Sequence, residues 1–295
     1  MIQLKTPIPD HLADELEAYF CEDGSDHWMI ESIPGGRDFH LYGFYPTTEE
    51  AQSAYHQLRD VFSELPLEST VSELPDQDWQ NAYKFHFQPW QCGQLHWVPI
   101  WMQDEYTVPE HHKALYLDPG MAFGTGNHET TRLCVEGLLE YFEQQDPRSI
   151  AQKTIIDAGC GSGILSLSAA LLGFQNIQAF DIDQDSIRIC HENTELNNLK
   201  GSVTFSVADL ATGIPEHSSG LILANILAPI LSTNSEILLN GLRPESSSTL
   251  ILSGILQKEV DSVHKTFLET AQSLSLNITI ERRDLGIWSA LICKI

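Results

Sequence analysis

The stretch IIDAGCGSGILSL, residues 155–167, indicates the fold class of this chain. It opens with apolar and β-branched residues typical of a buried strand, continues with glycines at 159, 161 and 163, and ends in an apolar helical pattern. Glycines at such a turn let the backbone bend sharply and approach a ligand, because a Cβ would collide with it. The stretch therefore predicts a strand, a ligand-binding loop and a helix, the unit from which α/β domains are built.

From residue 150 onward, apolar strands alternate with helical segments. The predicted strands are TIIDAG, IQAFDID, VTFSVAD, LILAN, TLILSGI, NITIERRD and WSALICKI. This alternation predicts a mostly parallel sheet with right-handed crossovers. The last two strands are joined by a short Leu-Gly turn, too short for a crossover helix, so they should pair as an antiparallel hairpin. We therefore expect an α/β fold with a Rossmann-like seven-stranded sheet and an antiparallel C-terminal hairpin.

The N-terminal third has a different pattern. The chain has 295 residues, which is the length of one large or two ordinary domains. Its first part follows the order β-α-β-β-α, with LESTVSEL as a candidate last strand, and Thr47 or Thr48 can cap the second helix. This order suggests a small α+β domain of ferredoxin-like type. We expect this domain over residues 1–75, a linker over 76–110 and the larger α/β domain over 111–295.

The expected linker is unusually aromatic. Residues 75–105 hold seven rings, a density well above the 9% aromatic residues of the whole chain: Trp79, Tyr83, Phe85, Phe87, Trp90, Trp97 and Trp101. Burial in a core or an interface is one explanation, because large rings are buried for their area alone. A line of rings that faces a substrate cation is the other.

Negative charge is concentrated in the N-terminal part. The formal net charge is -25, and residues 1–110 hold 20 Asp and Glu against 4 Lys and Arg, while residues 111–295 hold 21 against 12. Such a surface disfavours direct binding of nucleic acid and attracts a basic protein at long range. The alternative is that the acidic surface only aids solubility.

The composition also argues against a metal site and a membrane segment. The six cysteines are scattered without a C-x-x-C pair, so we expect reduced thiols and no bound metal. HETTR at 128–132 begins like a metalloprotease helix, but Arg132 stands where the second histidine is needed. No apolar run has the length of a membrane span and the start does not look like a signal peptide, so we expect a cytoplasmic protein.

Two aspartates follow the second predicted strand. Asp181 lies 22 residues after Gly159, where a dinucleotide fingerprint places the acidic residue that binds ribose hydroxyls. Asp183 shares a strand face with Asp181, and either Asp183 or Asp185 can instead cap the next helix. Ile164 stands where the fingerprint needs its last glycine, which disfavours a dinucleotide.

Polar residues end two further strands. Asn225 follows LILA at the carboxyl end of its strand, where ligands bind in open α/β sheets. Its amide can accept a hydrogen bond from an attacking amine and orient it, or it can simply end the strand. Asp209 can meet an adenine amino group or serve as a turn residue.

With these residues assembled, the chain resembles class I S-adenosylmethionine methyltransferases. More narrowly, it is similar to the PrmA family, which methylates large-subunit ribosomal protein L11, in the motifs LDPGMAFGTGNHETTRLC, IIDAGCGSGILSLSA, FDIDQDSI and LANILAPI. The resemblance implies S-adenosyl-L-methionine as cofactor, held by Thr131, Gly159, Asp181 and Asn225. It also implies that the N-terminal domain binds the ribosomal protein and presents lysine side chains and the N-terminal α-amine in turn.

A second glycine-rich segment, GMAFGTGNH at 120–128, lies upstream of the cofactor loop. It lacks the lysine of a phosphate-binding loop. We expect Asn127 to cap the helix that follows and the flexible glycines to fold over the cofactor. Phe123 can cover the cofactor and exclude water, or it can pack as an ordinary core residue.

The sequence identifies no dedicated catalytic base. The substrate amine must lose its proton before it attacks the methyl group, and an apolar pocket favours that loss by desolvation. Other activities remain open: a methyltransferase of the same fold with another protein or a small molecule as substrate, a dinucleotide-dependent oxidoreductase, or a binding module without activity.

Overall fold

The computed structural model describes the chain in two compact units, Met1–His86 and Phe87–Ile295. The described residues are 2–23, 27–32, 39–73, 88–118, 128–244 and 248–295. Each unit has its own sheets and its own hydrophobic core.

The first unit contains four strands and two helices. In chain order these are β1 (Ile2–Ile8), α1 (Asp10–Asp23), β2 (Trp28–Ser32), β3 (Phe39–Tyr45), α2 (Thr48–Val61) and β4 (Thr70–Glu73). The strands form one sheet in the order β2-β3-β1-β4, and every neighbouring pair is antiparallel. The predicted β-α-β-β-α order with a last strand in LESTVSEL is therefore observed.

Alternation along β1 builds the core of this unit. Leu4, Thr6 and Ile8 are buried, whereas Pro7 is exposed, as expected for a strand with one covered face. The second helix begins where the sequence predicts, because the Thr47 side chain accepts a hydrogen bond of 3.2 Å from the Glu50 amide.

The second unit begins with a three-stranded sheet that the sequence did not reveal. It consists of β5 (Trp90–Cys92), β6 (Leu95–Pro99) and β7 (Lys113–Leu117), with β5 antiparallel and β7 parallel to β6. These strands fall within the expected linker over 76–110 and just after it. The linker prediction differs from the structure here, because backbone pairing joins these residues to the second unit.

Aromatic residues anchor this small sheet. Trp90 stacks on Trp97 with 3.9 Å between ring centroids, and the Trp97 indole donates a hydrogen bond of 2.9 Å to Ser168. Trp97 is buried and Trp90 is half-buried against the same core, so packing explains these two rings. Trp79, Tyr83, Phe85 and Phe87 lie outside the described residues.

Seven described strands form the main sheet of the second unit. They are β8 (Thr154–Ala158), β9 (Asn176–Asp181), β10 (Val203–Val207), β11 (Leu221–Asn225), β12 (Thr249–Leu256), β13 (Thr279–Leu285) and β14 (Trp288–Lys294). Their order is β10-β9-β8-β11-β12-β14-β13, and β14 pairs antiparallel with both of its neighbours. The predicted mixed α/β sheet with an antiparallel C-terminal hairpin is confirmed.

Helices cover both faces of this sheet. They are α3 (Glu129–Glu143), α4 (Ile164–Leu172), α5 (Gln184–Leu196), α6 (Leu210–Gly213), α7 (Ala228–Thr233), α8 (Ser235–Asn240) and α9 (Val260–Ser273). Successive strand residues point to opposite faces, so Ile155 packs in one hydrophobic cluster and Ile156 in the other. Because β8 runs parallel to both β9 and β11, the carboxyl ends of these three strands meet at one edge of the sheet. Within the described ranges, no helix has the length and apolar character needed to cross a membrane.

A partly exposed cluster of charged side chains joins α3 to the β13–β14 hairpin. Glu140 accepts a hydrogen bond of 2.8 Å from Lys294 and a second one from Arg283. These hydrogen bonds, first from Lys294 and then from Arg283, lower the pKa of Glu140 from its ordinary value of 4.5 to about 2. The ionised carboxylate therefore stabilises the folded state at neutral pH, and this contribution is lost as the pH falls from 4.5 through about 2.

We expect Glu140→Gln to lower the free energy of unfolding at pH 7 by about 1 kcal/mol, since a partly exposed charged cluster contributes modestly. Urea titrations at pH 7 and near pH 2 measure this, and the difference between variant and wild type should shrink at the lower pH. Glu143→Gln, at an exposed position one turn further along α3, is the control and should change stability little. Equal losses at both pH values would show that the ionised carboxylate is not the cause.

Candidate functional site

The glycine loop, residues 159–163, follows β8 and leads into α4. Gly159 has φ of +72° and Gly163 has φ of +79°, a left-handed region that side chains with a Cβ rarely adopt. A Cβ on Gly159 would also lie 2.5 Å from Cγ2 of Ile226. Both the conformation and the close contact therefore require glycine at 159.

Backbone hydrogen bonds hold the loop against the end of β9. The carbonyl of Phe180 accepts from the amides of Gly159 and Cys160, at 2.9 and 3.0 Å. The next residue, Asp181, then reaches the loop, and its Oδ2 accepts a hydrogen bond of 2.9 Å from the Gly161 amide. A carboxylate has about four acceptor sites, so Asp181 keeps capacity for the hydroxyls of a ligand.

The structure gives Asp181 and Asp183 different roles. Asp183 is the N-cap of α5, and its carboxylate accepts from the amides of Asp185 and Ser186 at 3.0 and 3.1 Å. These backbone and hydroxyl hydrogen bonds lower the pKa of Asp183. Asp181 is therefore the aspartate that faces the loop, and Asp183 is the helix cap that the sequence left as an alternative.

Asn225 and Thr131 meet at the neighbouring strand end. Asn225 Nδ2 lies 3.5 Å from Oγ1 of Thr131, which is buried in the first turn of α3. Asn225 Oδ1 is also buried, and it finds no donor in the part of the chain that the structure describes. Ile226, the residue after Asn225, is the one that contacts Gly159. Thr131, Gly159 and Asn225 therefore line one region, with Asp181 on the far side of the same loop.

Ser253 on β12 helps to position this region, a role that the sequence did not suggest. Its hydroxyl donates a hydrogen bond of 3.0 Å to the carbonyl of Thr130, and its own carbonyl accepts from the Ile226 amide at 3.2 Å. Gly254 follows with φ of +81°, and a Cβ there would lie 2.5 Å from the carbonyl oxygen of Ile226. The only sequence signal was the glycine inside a strand, which often marks a close backbone approach.

Asp157 is a further site residue that the sequence showed only as the acid before the loop. Its side chain is buried, and Oδ2 accepts a hydrogen bond of 2.9 Å from the Ser166 amide. Oδ1 has no partner among the described residues. Burial raises the pKa of Asp157 to about 7, because desolvation disfavours the charged form.

The start of α3 differs from its prediction. The N-cap is His128 and not Asn127, since Nδ1 of His128 accepts from the Thr130 amide at 3.3 Å. The His128 ring packs edge-on against Trp288 with 5.0 Å between centroids, and burial lowers its pKa. Asn127 and Phe123 lie outside the described residues, so the covering role of the upstream segment stays a prediction.

Asp209 is a helix cap in this structure. Its Oδ1 accepts from the amide and the hydroxyl of Thr212, at 2.8 and 2.6 Å, in a capping box at the start of α6. A contact with adenine is an additional role that stays a prediction.

The donors and acceptors of this region suit S-adenosylmethionine. Asn225, at the strand end beside the glycine loop, has a buried acceptor oxygen without a donor among the described residues, which fits a ligand with N–H groups and disfavours a pyrophosphate. Gly159 has no side chain of its own, and its left-handed conformation lets the loop turn sharply after β8. No group of three or more His, Cys, Asp or Glu side chains within the described ranges is arranged to hold a metal ion.

Comparisons with known proteins agree with this geometry. The family model described as ribosomal protein L11 methyltransferase (PrmA) matches residues 15–294. A relative named ribosomal protein L11 methyltransferase from Hydrogenovibrio crunogenus is 30% identical over 98% of this chain and 96% of its own length. One of the same name from Legionella pneumophila (strain Corby) is 34% identical over 89% and 90%.

A solved structure supports the same assignment. The ribosomal protein L11 methylase of Lactobacillus delbrueckii subsp. bulgaricus is 30% identical, with a TM-score of 0.58 over 68% of this chain and 95% of that one. The match of the family model to nearly the whole chain, together with the site described above, leads to one conclusion: the chain belongs to the ribosomal protein L11 methyltransferase (PrmA) family.

Proposed function

We propose that the protein transfers methyl groups from S-adenosyl-L-methionine to lysine side chains and the N-terminal α-amine of ribosomal protein L11. The observation that carries the proposal is the buried, unpaired Oδ1 of Asn225 at the carboxyl end of β11, beside the glycine loop. An acceptor in that place can orient an amine next to a bound methyl donor.

Four residues are proposed to hold the cofactor. Asp181 accepts hydrogen bonds from the ribose hydroxyls, and Gly159 supports the methionine part. Thr131 and Asn225 contact the cofactor from the opposite side. In support, Asp181 is already fixed by the Gly161 amide and remains partly exposed at the sheet edge. The bound cofactor supplies an electrophilic methyl group on a sulfonium.

The chain's task is to position a neutral amine. A lysine amine has an ordinary pKa of about 10.4 and an α-amine about 8, so each must lose a proton before it attacks. Transfer into a poorly solvated pocket lowers an amine's pKa. Asn225 Oδ1 then accepts one remaining N–H and directs the nitrogen lone pair toward the methyl carbon. Most of the acceleration comes from this placement.

The N-terminal unit is proposed to be a ferredoxin-like domain that recognises the ribosomal protein. Its element order and its antiparallel sheet order β2-β3-β1-β4 support the classification. Exposed acidic side chains on this unit suit a basic partner: Glu49, Glu50, Glu64, Glu68 and Glu73. We propose that it binds L11 free of the ribosome, in the cytoplasm, and makes no direct contact with nucleic acid.

A different protein or a small molecule is the second candidate for the methyl acceptor. The same site geometry accommodates it, because the described residues around Asn225 recognise an amine and not a particular sequence. An oxidoreductase is less well supported, since the unpaired acceptor oxygen of Asn225 disfavours a pyrophosphate.

Incubation with isotopically labelled S-adenosylmethionine and purified ribosomal proteins tests the proposal. We expect label in L11, on lysine and N-terminal amines, as read by mass spectrometry of the labelled band. Asn225→Ala should lower the rate by roughly a hundredfold, because the amine loses its orienting acceptor. Label in another protein alone would favour the second candidate, and label in no protein would refute the assignment of a protein substrate.

Asp181→Asn should raise the dissociation constant for S-adenosylmethionine by about tenfold or more, since a hydrogen bond to a charged acceptor contributes roughly 1.5–3 kcal/mol. Isothermal titration calorimetry measures this without a methyl acceptor. Asp185→Asn removes the same charge from a nearby exposed position, where the carboxylate pairs with Arg188, and is the matched control. An equal rise of the dissociation constant in both variants would mean that the loss of one negative charge, and not of a hydrogen bond from Asp181, weakens binding.

Affinity for free L11 should fall severalfold between low salt and about 0.3 M salt, because ions screen the attraction between the acidic unit and a basic protein. The measurement is binding of L11 to the intact chain at a series of salt concentrations. Affinity that stays constant over this range would contradict an electrostatic role for the acidic N-terminal unit.

A further inference from the structure

Asn193 lies on α5 with its side chain fully buried, and both ends of its amide are used. Nδ2 donates a hydrogen bond of 2.9 Å to the carbonyl of Ser162. Oδ1 accepts a hydrogen bond of 3.2 Å from the amide of Asp118. The orientation of the amide follows from its partners, because a carbonyl can only accept and a backbone amide can only donate.

The two partners belong to different parts of the site. Ser162 lies in the glycine loop, between Gly161 and Gly163, which both have positive φ. Asp118 follows directly after β7 and precedes the upstream glycine-rich segment. One buried side chain of α5 therefore joins the loop to the end of a strand in another sheet.

The loop is held by side chains on two sides. Asp181 accepts from the amide of Gly161, and Asn193 donates to the carbonyl of Ser162, the next residue. Glycines lose more conformational freedom on ordering than other residues, so a glycine loop needs such anchors to stay in one arrangement. Ordering before the ligand arrives removes part of the entropic cost of binding.

We propose that Asn193 is a positioning residue for cofactor binding, which sets the glycine loop and the end of β7 in the arrangement that receives S-adenosylmethionine. It acts through Ser162 and Asp118 and touches neither the amine nor Asn225. This inference rests on the proposed function, since it takes S-adenosylmethionine as the ligand of the loop.

Asn197, one turn further along the chain, provides a matched control. Its Oδ1 accepts from the Tyr116 amide at 2.7 Å, and its Nδ2 donates to the Tyr116 carbonyl at 2.6 Å. Asn197 is the C-cap residue of α5 and joins the end of that helix to β7 through the same chemical group. Its Nδ2 also donates to the Asn193 carbonyl at 2.8 Å, and its described side-chain partners all lie outside the glycine loop, which Asn193 holds.

Calorimetric titration with S-adenosylmethionine alone tests the proposal. We expect Asn193→Ala to raise the dissociation constant about tenfold, equivalent to about 1.4 kcal/mol, and Asn197→Ala to change it by less than about twofold. Asn193→Asp should weaken binding at least as much, because it places a carboxylate oxygen against the Ser162 carbonyl. In methyl transfer, Asn193→Ala should raise KM for S-adenosylmethionine by the same factor and leave kcat at saturation nearly unchanged.

Thermal unfolding without ligand separates positioning from general stability. Asn193→Ala loses hydrogen bonds of a buried side chain and Asn197→Ala loses those of a half-buried one, so both should unfold at lower temperature, while only the change at 193 should weaken binding. If Asn193→Asp does not fold, the comparison of Asn193→Ala with Asn197→Ala still tests the proposal. Equal effects of the two alanine variants on the dissociation constant, or a loss of kcat with unchanged affinity, would overturn the proposal. Wild-type protein that fails to bind S-adenosylmethionine would instead refute the proposed function, and the positioning role with it.

Discussion

The site depends on one backbone oxygen, the carbonyl of Phe180, which accepts two amides of the glycine loop. This carbonyl lies near the end of β9, and β9 pairs in parallel with β8, the strand that leads into the loop. The double hydrogen bond folds the loop back across the neighbouring strand end. Asp181 then has the Gly161 amide within reach, so the ribose-binding candidate is hydrogen-bonded directly to the loop. The order of strands in the sheet thus determines which carboxylate contacts the glycine loop.

Elements that depend on local pattern were predictable, and elements that depend on distant pairing were not. The seven apolar strands of the main sheet and the hairpin follow from hydrophobic runs and a short turn. The strands β5 and β6 have three and five residues and acquire their partners only in the folded chain, so their segment was expected to be a linker. The cap at His128 was missed because histidine is an infrequent cap, although its ring nitrogen can accept the same hydrogen bond.

The residues of the candidate site likewise fall into two groups, those that a local sequence pattern identified and those that it did not. Glycine spacing and an acidic residue at the next strand end identified the loop and Asp181, yet strand alternation left Asp183 equivalent until its carboxylate was seen to cap α5. Ser253 and Asn193 hold the site through contacts with residues 123 and 31 positions away in sequence. No local signal encodes such contacts, because they arise from which strands and helices become neighbours.

The position of β14 has a consequence for biosynthesis. This strand follows every other strand of the main sheet in the chain, yet it lies between β12 and β13. While the polypeptide leaves the ribosome, β12 has an open edge, and its apolar residues stay without their final neighbour until β14 emerges. Large α/β chains with open strand edges are prone to wrong pairing at this stage. An enzyme that modifies a component of the ribosome therefore completes its own sheet only after every other strand of that sheet has been synthesised.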